Sequence, residues 1–333
     1  MILVNRLFFF IVALFFLSCI HNKHTYKING YAQGTTYHIK YHHNTNQIDK
    51  ADVDSLLNII DMSMSAYVEQ SIISLLNNGN NIFLDSLIQK VIKKSIEICH
   101  ETDGMFDITV APLVEYWGFG PDKLKSKRSQ KLDSSLYVLG CDKISIQNNK
   151  IVKSDSVLID LNGIAQGFSV DYIADYFYNH NGIDDFMIEL GGEICCVGDN
   201  LGKGWRIGID KPTDKREDFA FVLNLNDISL ATSGSYRNYY YLDSVRINHT
   251  INPKTLAPTQ NKLISATILY SDCMSADAYA TACMSLGFLN AKEFLNKKDI
   301  SGCLIYVENQ DTLSYFSSDF SSFLHRSPGS APQ

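Results

Sequence analysis

The middle of this chain is a succession of short strand-like segments separated by turn residues. They are FMIEL at 186–190, WRIGI at 205–209, FAFVLNL at 219–225 and YYYLDSVRINHTI at 239–251. The last is predicted to be a hairpin that turns at Asp243 and Ser244. Helical periodicity occurs at 85–100, from Ala165 to about Asn179 and at 275–287. Because strands and helices mix without a strict βαβ alternation, the pattern predicts an α+β fold.

The chain begins with a short apolar segment that is typical of an export signal. Arg6 is followed by an uninterrupted apolar run at 7–17, which is too short to span a bilayer comfortably. Leu17-Ser18-Cys19 resembles a bacterial lipobox, in which cleavage precedes a cysteine that is then lipidated. An ordinary signal peptide or an uncleaved anchor are the alternatives. We therefore expect an exported lipoprotein anchored to a membrane through Cys19, facing the periplasm or the outer side of the inner membrane.

These features divide the chain into four parts. Residues 1–18 are predicted to be a lipoprotein signal peptide and 19–29 a lipidated N-terminus and tether. Residues 30–323 are predicted to form the folded domain, and 324–333 a disordered tail.

Charge and cysteine usage exclude two classes of function. A formal net charge of −7 and the absence of Lys/Arg-rich runs argue against a nucleic acid partner. Apart from Cys19, seven cysteines remain, without regular spacing and mostly in apolar contexts. We expect buried free thiols, with no disulfide framework and no cysteine metal site.

The segment SADAYATACMSLG at 275–287 places a carboxylate and a hydroxyl one helical turn apart. Asp277 and Thr281 are four residues apart and would lie on the same helix face, where two oxygen ligands suit a hard cation such as Mg²⁺. This spacing occurs by chance in many helices. On spacing alone, a structural explanation is therefore favoured, in which Asp277 caps the helix or forms an ion pair and Thr281 bonds to the preceding turn.

A second segment, IDLNGIAQGFSVDYIADY at 159–176, has the pattern of a strand, a tight turn and a helix. Its strand would end at Asp160, its turn would contain Gly163, and Gly167 would lie in the first turn of the helix. Such a junction exposes backbone groups that bind phosphate or ligate a metal. A plain strand-to-helix connection is the alternative.

Other segments carry weaker signals. GMFDITVAPLVEYWGFGP at 104–121 surrounds Asp107 with aromatic residues, a composition suited to a planar ring but more common in a protein core. ELGGEICCVGDN at 189–200 and ATSGSYRNYY at 231–240 offer glycine turns and hydroxyls, and HTINP at 249–253 adds a histidine.

Taken in order, these segments resemble the ApbE family of periplasmic flavin transferases. The motifs that carry the resemblance are GTTYHIKY, MSAYVEQSIISLLN, GMFDITVAPLVEYWGFGP, DLNGIAQGFSVD, IELGGEI, GKGWRIGIDKP, ATSGSYRNYY, HTINPKT and SADAYATACMSLG, between about residues 30 and 290. The resemblance implies a mixed α/β domain in which short, largely antiparallel strands and helices enclose a central FAD cleft.

The resemblance also implies an activity and a metal site. Family members cleave the diphosphate of FAD with Mg²⁺, attach FMN through a phosphoester to a Thr or Ser of a target protein, and release AMP. The corresponding metal ligands here are Asp277, Thr281 and the backbone carbonyl of Gly163. Ala280, at a position that ligates in some members, would offer only its carbonyl.

The FAD-binding residues follow from the same correspondence. They are Gln33, Tyr67, Met105, Phe106, Asp107, Asp160, Gln166 and Ile251, with Thr232, Ser233, Gly234 and Ser235 lining the same cleft. Gln166 departs from the family, in which a charged residue, often Lys, is common at this position. A neutral amide contributes no charge to the diphosphate.

The general base and the acceptor are less constrained by the resemblance. His249 is the candidate base, with Asp277 or a metal-bound group as the alternative. The implied acceptors are exported flavoproteins such as subunits of membrane redox complexes. Two other hypotheses stay open: a Mg²⁺-dependent FAD pyrophosphatase that gives FMN and AMP, and a non-catalytic FAD-binding lipoprotein.

Overall fold

The computed structural model describes residues 23–45, 47–121, 138–212, 218–236 and 238–325. Within these residues the strands are β1 His24–Ala32, β2 Thr35–His43, β3 Ser145–Gln147, β4 Lys150–Val152, β5 Phe186–Leu190, β6 Glu193–Val197, β7 Trp205–Asp210, β8 Phe219–Leu225, β9 Ile228–Gly234, β10 Tyr239–Leu242, β11 Val245–Asn248, β12 Ile251–Asn252, β13 Ala257–Pro258, β14 Leu263–Tyr270, β15 Ser301–Glu308 and β16 Asp311–Phe316. The α-helices are α1 Lys50–Met64, α2 Ile72–Asn77, α3 Ser86–Glu101, α4 Ala111–Tyr116, α5 Ala165–Asp175, α6 Cys273–Leu286 and α7 Phe288–Lys298.

An eight-stranded sheet forms the centre of the molecule. Its strand order is β1-β2-β5-β6-β9-β14-β15-β16, and each neighbouring pair is antiparallel. Four two-stranded sheets accompany it: β3-β4, β7-β8, β10-β11 and β12-β13. The predicted α+β class with largely antiparallel strands is confirmed.

The first hairpin is longer than the sequence indicated. Gln33 and Gly34 both have positive φ (51° and 75°), which matches the two-residue turn that joins twisted antiparallel strands. β1 pairs with β2 from His24 onward, so residues 24–29, which the sequence assigned to the tether, belong to the sheet. At the other end, Leu324 pairs with Leu223 and the amide of His325 donates to the Val222 carbonyl, so the fold continues past 323.

Helices cover one face of the sheet in two groups. α1 and α5 pack on β1, β2 and β5 through buried residues such as Val53 and Ile173. α6, flanked by α3 and α7, packs on β9 and β14, where Ala231 and Ala266 face its own alanines. The small side chains let α6 approach the sheet and its neighbours closely, and nearly every residue from Cys273 to Ser285 is buried.

The β7-β8 hairpin covers the opposite face of the sheet. Trp205, Leu223 and Leu225 pack there against Leu230 and Leu269. The central strands β9 and β14 are therefore buried on both faces, which makes them a rigid base for the residues at their ends.

Two predictions are wrong. The segment before Asp160 is not a strand; it is extended chain, with the Asp160 amide donating to the Ile108 carbonyl at 2.7 Å. Cys99 and Cys141 form a disulfide although both were expected to be free. They are separated by 42 residues, and only the fold brings them together. The other five cysteines in the described residues are buried free thiols, as expected.

Candidate active site

Helix α6 carries the two residues that the spacing singled out. Its N-terminus is capped by Asp272, whose Oδ1 accepts from the Ser275 amide at 2.8 Å. Its C-terminus ends at Gly287, whose φ of +74° a residue with a side chain rarely adopts. Thr281 is the one residue between Cys273 and Ser285 that is not fully buried. It therefore faces an opening in the packing around α6, while Asp277 lies one turn deeper.

The turn before α5 lies directly against Thr281. A Cβ added to Gly163 would lie 3.1 Å from Thr281 Cγ2 and 3.4 Å from Phe106 Cε2, so glycine permits this close approach. The amide of Gly167 donates to Asp277 Oδ2 at 3.1 Å. A regular helical bond would direct that amide back to the Gly163 carbonyl. Because the Gly167 amide bonds Asp277, the Gly163 carbonyl does not receive this helical hydrogen bond.

Strand β9 supplies a second hydroxyl. The Ser233 and Thr281 hydroxyls are 3.2 Å apart. Ser233 pairs with Ala266, whose side chain belongs to the helix-side core, so Ser233 points toward α6. Gly163, Ser233, Asp277 and Thr281 together are called the α6 polar cluster below.

The neighbours of Ser233 contribute differently. The Thr232 hydroxyl bonds that of Thr267 at 2.9 Å on the opposite face of the sheet, so only the backbone of Thr232 can face the cluster. Gly234 is the last residue of the strand and Ser235 follows it. The Ser235 amide donates to the Ile264 carbonyl, and its carbonyl accepts from Arg246 at 2.7 Å.

Burial dominates the electrostatics of Asp277. Loss of water around the carboxylate raises its pKa to about 7, and the negative charge of Asp171 adds to the shift, while the bond from Gly167 opposes it. A buried carboxylate of this kind is stabilised by a cation. Its position beside the Thr281 hydroxyl and the Gly163 turn suits a hard cation with oxygen ligands.

Ala280 does not suit the ligand role that the resemblance implied. It is fully buried in the middle of α6. There the helix engages each carbonyl with the amide four residues later. A regular helix would therefore use the Ala280 carbonyl as the acceptor for the Met284 amide.

The segment at 105–107 forms an adjoining wall. Met105, Phe106 and Asp107 are all buried. The Asp107 carboxylate accepts from the amide and the hydroxyl of Thr109 at 2.8 and 2.7 Å. Burial raises the pKa of Asp107 and these bonds oppose the shift. The expectation that this segment is mainly core holds for its side chains, although Phe106 also reaches the Gly163 turn.

Tyr67 and Asp160 lie close together near the same turn. The Tyr67 ring is exposed. Partial burial of its hydroxyl raises the pKa of Tyr67, and the negative charge of the nearby Asp160 carboxylate adds to this shift. Asp160 Oδ1 accepts from the Asn162 amide at 2.7 Å, which shapes the turn that contains Gly163. Burial raises the pKa of Asp160.

The two glutamines reach α5 and its neighbours from different sides. Gln33, in the β1-β2 turn, donates through Nε2 to the Ser169 hydroxyl of α5 at 3.0 Å. Gln166 lies on α5 itself, with its Nε2 3.3 Å from where a Cβ of Gly191 would be. The ELGG turn thus lies beside Gln166.

His249 and Ile251 belong to the segment that follows the β10-β11 hairpin. His249 Nδ1 lies 3.2 Å from the Asn238 carbonyl, an arrangement that fits Nδ1–H donating and leaves Nε2 as the acceptor. Burial lowers the pKa of His249, so the ring is neutral at pH 7. The Ile251 carbonyl accepts from Ser285 at 3.3 Å, which attaches this segment to α6 one turn beyond Thr281.

Sequence reasoning missed two groups of residues. Asp171 of α5 accepts from the Cys273 and Met274 amides at 2.8 Å each, so a second, partly buried carboxylate holds the start of α6. The sequence feature that could have identified Asp171 was an acidic residue four positions after Gly167.

Phe119 and Tyr240 form an aromatic wall, with ring centroids 5.4 Å apart, and Phe119 lies 6.3 Å from the His249 ring. They appear in segments already singled out, but without an indication that they meet.

Two absences hold for the described part of the chain. Those residues contain no group of three or more His, Cys, Asp or Glu side chains arranged to hold a metal ion. A cation at the α6 polar cluster therefore depends on hydroxyl, carbonyl or substrate oxygens besides Asp277. No helix in the same residues has the length and hydrophobicity to span a membrane. Cys19 and the signal segment lie outside them.

Comparisons with known proteins agree on one family. The family model described as "ApbE family" matches residues 33–305. A Vibrio cholerae protein named FAD:protein FMN transferase is 33% identical over 310 residues, covering 90% of this chain and 92% of its own. A Haemophilus influenzae protein of the same name is 33% identical over 327 residues, covering 93% and 94%. The solved flavin transferase ApbE from Vibrio cholerae superposes with a TM-score of 0.80 at 31% identity, covering 91% of this chain and all of that one.

Proposed function

Because this chain belongs to the ApbE family, we propose that it is an FAD:protein FMN transferase, the activity for which its curated relatives are named. The observation that carries the proposal is the α6 polar cluster. Gly163, Ser233, Asp277 and Thr281 come from three separate elements, and they meet beside the aromatic segment that contains Phe106. A buried carboxylate with hydroxyls next to an apolar wall suits a ligand with a charged diphosphate and a planar ring.

The reaction proposed is transfer of the FMN phosphoryl group to a Thr or Ser hydroxyl of a target protein. The hydroxyl oxygen forms a new bond to the FMN phosphorus, and the bond from that phosphorus to the bridging oxygen breaks. AMP leaves with the bridging oxygen, and the hydroxyl proton passes to a base. Most of the catalysis in such a transfer comes from positioning and from stabilisation of negative charge.

The residues present fit a Mg²⁺ ion as the source of positive charge. Asp277, the Thr281 hydroxyl and the Gly163 carbonyl would hold it. Bound there, it would neutralise charge on the diphosphate and draw its remaining ligands from phosphate and water. Gln166, as a neutral amide, would add a hydrogen bond and no charge, so this chain would rely on the metal more than a relative with Lys at that position.

Each wall of the cleft has a role in binding FAD under this proposal. Met105 and Phe106 would contact the flavin, and Asp107 and Asp160 would accept its polar hydrogens. Tyr67, with its exposed ring, would cover the open side. Gln33 and Ile251 would limit the two ends of the site.

His249 is the proposed general base. Its pKa is lowered by burial, so the neutral ring is present at pH 7 and Nε2 can accept the proton of the target hydroxyl. The aromatic wall of Phe119 and Tyr240 beside it would exclude water from the transfer step and so favour a protein acceptor over hydrolysis.

We also propose that the protein is exported and held at a membrane by lipid on Cys19, with exported flavoproteins such as subunits of membrane redox complexes as its acceptors. The sequence at 7–19 is the main support. The Cys99–Cys141 disulfide is consistent with it, since disulfides persist in oxidising compartments.

The test is product analysis with a matched pair of acceptors. The purified protein is incubated with FAD, with Mg²⁺ or with EDTA, and with an acceptor peptide that contains one Thr or the same peptide with Val in its place. We expect Mg²⁺-dependent AMP release in equal amount to flavin attached to the Thr peptide, measured by chromatography and mass spectrometry.

The other outcomes identify the alternatives. Free FMN and AMP at the same rate with both peptides would show a pyrophosphatase. FAD that stays intact and bound would show a storage protein. Either result would contradict the transferase.

A further inference from the structure

The Cys99–Cys141 disulfide encloses the segment that carries Met105, Phe106 and Asp107. Cys99 lies in the last turn of α3, and Cys141 begins a 3₁₀ turn at 141–143. Both residues are buried. The bond therefore joins the two ends of the chain that lead into and return to this wall of the cleft.

Hydrogen bonds connect the Cys99 side to Phe106. The Cys99 carbonyl accepts from the Gly104 amide at 2.8 Å. The Thr102 hydroxyl accepts from the Phe106 amide at 3.1 Å and donates to the Ile98 carbonyl at 2.8 Å. The backbone of Phe106 is thus held by the same turn that carries Cys99.

A second series connects the Cys141 side to Asp107. The Gly140 amide, next to Cys141, donates to the Thr109 hydroxyl at 2.8 Å. That hydroxyl donates to Asp107 Oδ1 at 2.7 Å, and the Thr109 amide donates to the same oxygen at 2.8 Å. The position of the carboxylate therefore depends on residues 140–141 remaining against Thr109.

We propose that the Cys99–Cys141 disulfide is a positioning cross-link for FAD binding: it holds Gly140 against Thr109 and so preorganises Phe106 and Asp107. This inference rests on the proposed function, which places FAD against these residues. Cys99 and Cys141 would not touch FAD. Preorganisation of this kind acts on affinity because the ordering cost is met before the ligand arrives.

Reduction of the bond is the direct test. A dithiol such as dithiothreitol transfers two electrons and two protons, which breaks the S–S bond, gives two cysteine thiols, and leaves the dithiol as a cyclic disulfide. FAD affinity is measured by quenching of flavin fluorescence in EDTA, before and after reduction, at a temperature where circular dichroism shows the protein folded. We expect FAD to bind about 5-fold more weakly after reduction, the change that the loss of about one hydrogen bond produces.

Three variants separate positioning from general stability. In Cys99→Ser/Cys141→Ser, FAD should bind as weakly as in the reduced protein, and dithiothreitol should change nothing further. Thr109→Val removes the hydroxyl that links Gly140 to Asp107. It should weaken FAD binding by a similar factor. The triple variant, which combines all three substitutions, should bind FAD as tightly as whichever of the two parent variants binds it more weakly. A purely structural disulfide would make the two effects on FAD affinity multiply.

The outcomes are distinct. Equal FAD affinity in the oxidised and reduced wild type would overturn the inference and leave the proposed function intact. Effects that multiply in the triple variant would show that the disulfide does not act through Thr109, and would also leave the proposed function intact. No FAD binding by the oxidised wild type, either in EDTA or with Mg²⁺, would overturn both.

Discussion

Asp277 is the residue at which function and stability oppose each other most directly. In the unfolded chain its carboxyl titrates near pH 3.9, whereas burial raises its folded pKa to about 7. Between these values the folded protein binds the proton more tightly than the unfolded protein does. The stability that comes from this proton is complete at low pH and is lost as the pH rises through 7.

Asp277→Asn should therefore stabilise the metal-free protein and inactivate it. An amide oxygen can still accept from Gly167, but no charge is buried. In EDTA at pH 8 we expect the free energy of unfolding to rise by about 2 kcal/mol, with little change at pH 4. Mg²⁺-dependent transfer should fall at least about 100-fold. Urea denaturation and the AMP assay measure the two effects.

The control for Asp277→Asn is Asp155→Asn, at an exposed position outside the site. It should change neither quantity. An Asp277→Asn protein that transfers FMN at the wild-type rate throughout a Mg²⁺ titration would refute the metal-ligand role.

His249→Ala tests the base. FAD affinity should stay within about 2-fold of wild type, while transfer falls by about 100-fold or more, the range for loss of a positioned base. At saturating Mg²⁺, the wild-type rate should rise with pH through a pKa below the usual 6.5 of histidine, because burial disfavours the charged ring. The variant should lose that dependence.

Exposed His180, outside the cluster, provides the comparison for this experiment. His180→Ala should retain the wild-type pH profile. If His249→Ala also keeps the wild-type rate and profile, another group takes the proton.

At the scale of elements, the contact between α5 and α6 sets the position of Asp277. A Cβ on Gly167 would lie 2.4 Å from the Cys273 carbonyl oxygen and 2.8 Å from Asp277 Cβ, so the two helices meet at the glycine. Asp171 reinforces the contact by accepting from two amides at the start of α6. Asp277 and Thr281 are therefore held by packed helices, while Gly163 lies in the turn before α5 and Ser233 lies on β9.

Gly167→Ala should move α6 relative to α5. We expect a loss of about 1–3 kcal/mol in the free energy of unfolding from overpacking, together with weaker Mg²⁺ activation because Asp277 and Thr281 shift from Gly163. Leu295→Ala, a buried change on α7, should lower stability by about 2–5 kcal/mol and leave the Mg²⁺ dependence unchanged. An unchanged Mg²⁺ titration in Gly167→Ala would show that the contact does not position the ligands.

The proposed lipidation of Cys19 would determine where the whole molecule meets its acceptors. β1 begins at His24, only a few residues after Cys19, so lipid on that cysteine would hold the sheet edge close to a membrane. Under this proposal, a short tether would restrict the enzyme to acceptors at the same surface and would raise their effective concentration.

Cys19→Ala should release the protein from membranes. In cell fractionation we expect the wild type in the membrane fraction and the variant in the soluble exported fraction, with the same transfer rate on a soluble acceptor peptide. A variant that stays in the membrane fraction would favour an uncleaved anchor, and a soluble wild type would favour an ordinary signal peptide.

Much of the secondary structure could be predicted from the sequence because local residue patterns determine it. Alternating residues indicated β5, β7 and β8 almost to the residue, and the turn at Asp243 and Ser244 indicated the β10-β11 hairpin. Helical spacing and Gly287 located α6 and its end. Asp277 and Thr281 were visible as a pair because four residues make one helical turn, whatever the helix packs against.

The sequence does not indicate which distant segments meet; this depends on the folded structure. The strand order, the pairing of Cys99 with Cys141, and the approach of Ser233 and Gly163 to Thr281 depend on contacts between residues far apart in sequence. Local spacing carries no information about such contacts. The same holds for charge: Asp277 and Asp171 are ordinary acidic residues in the sequence, and only their burial beside each other gives Asp277 a pKa of about 7 and makes a cation at the cluster favourable.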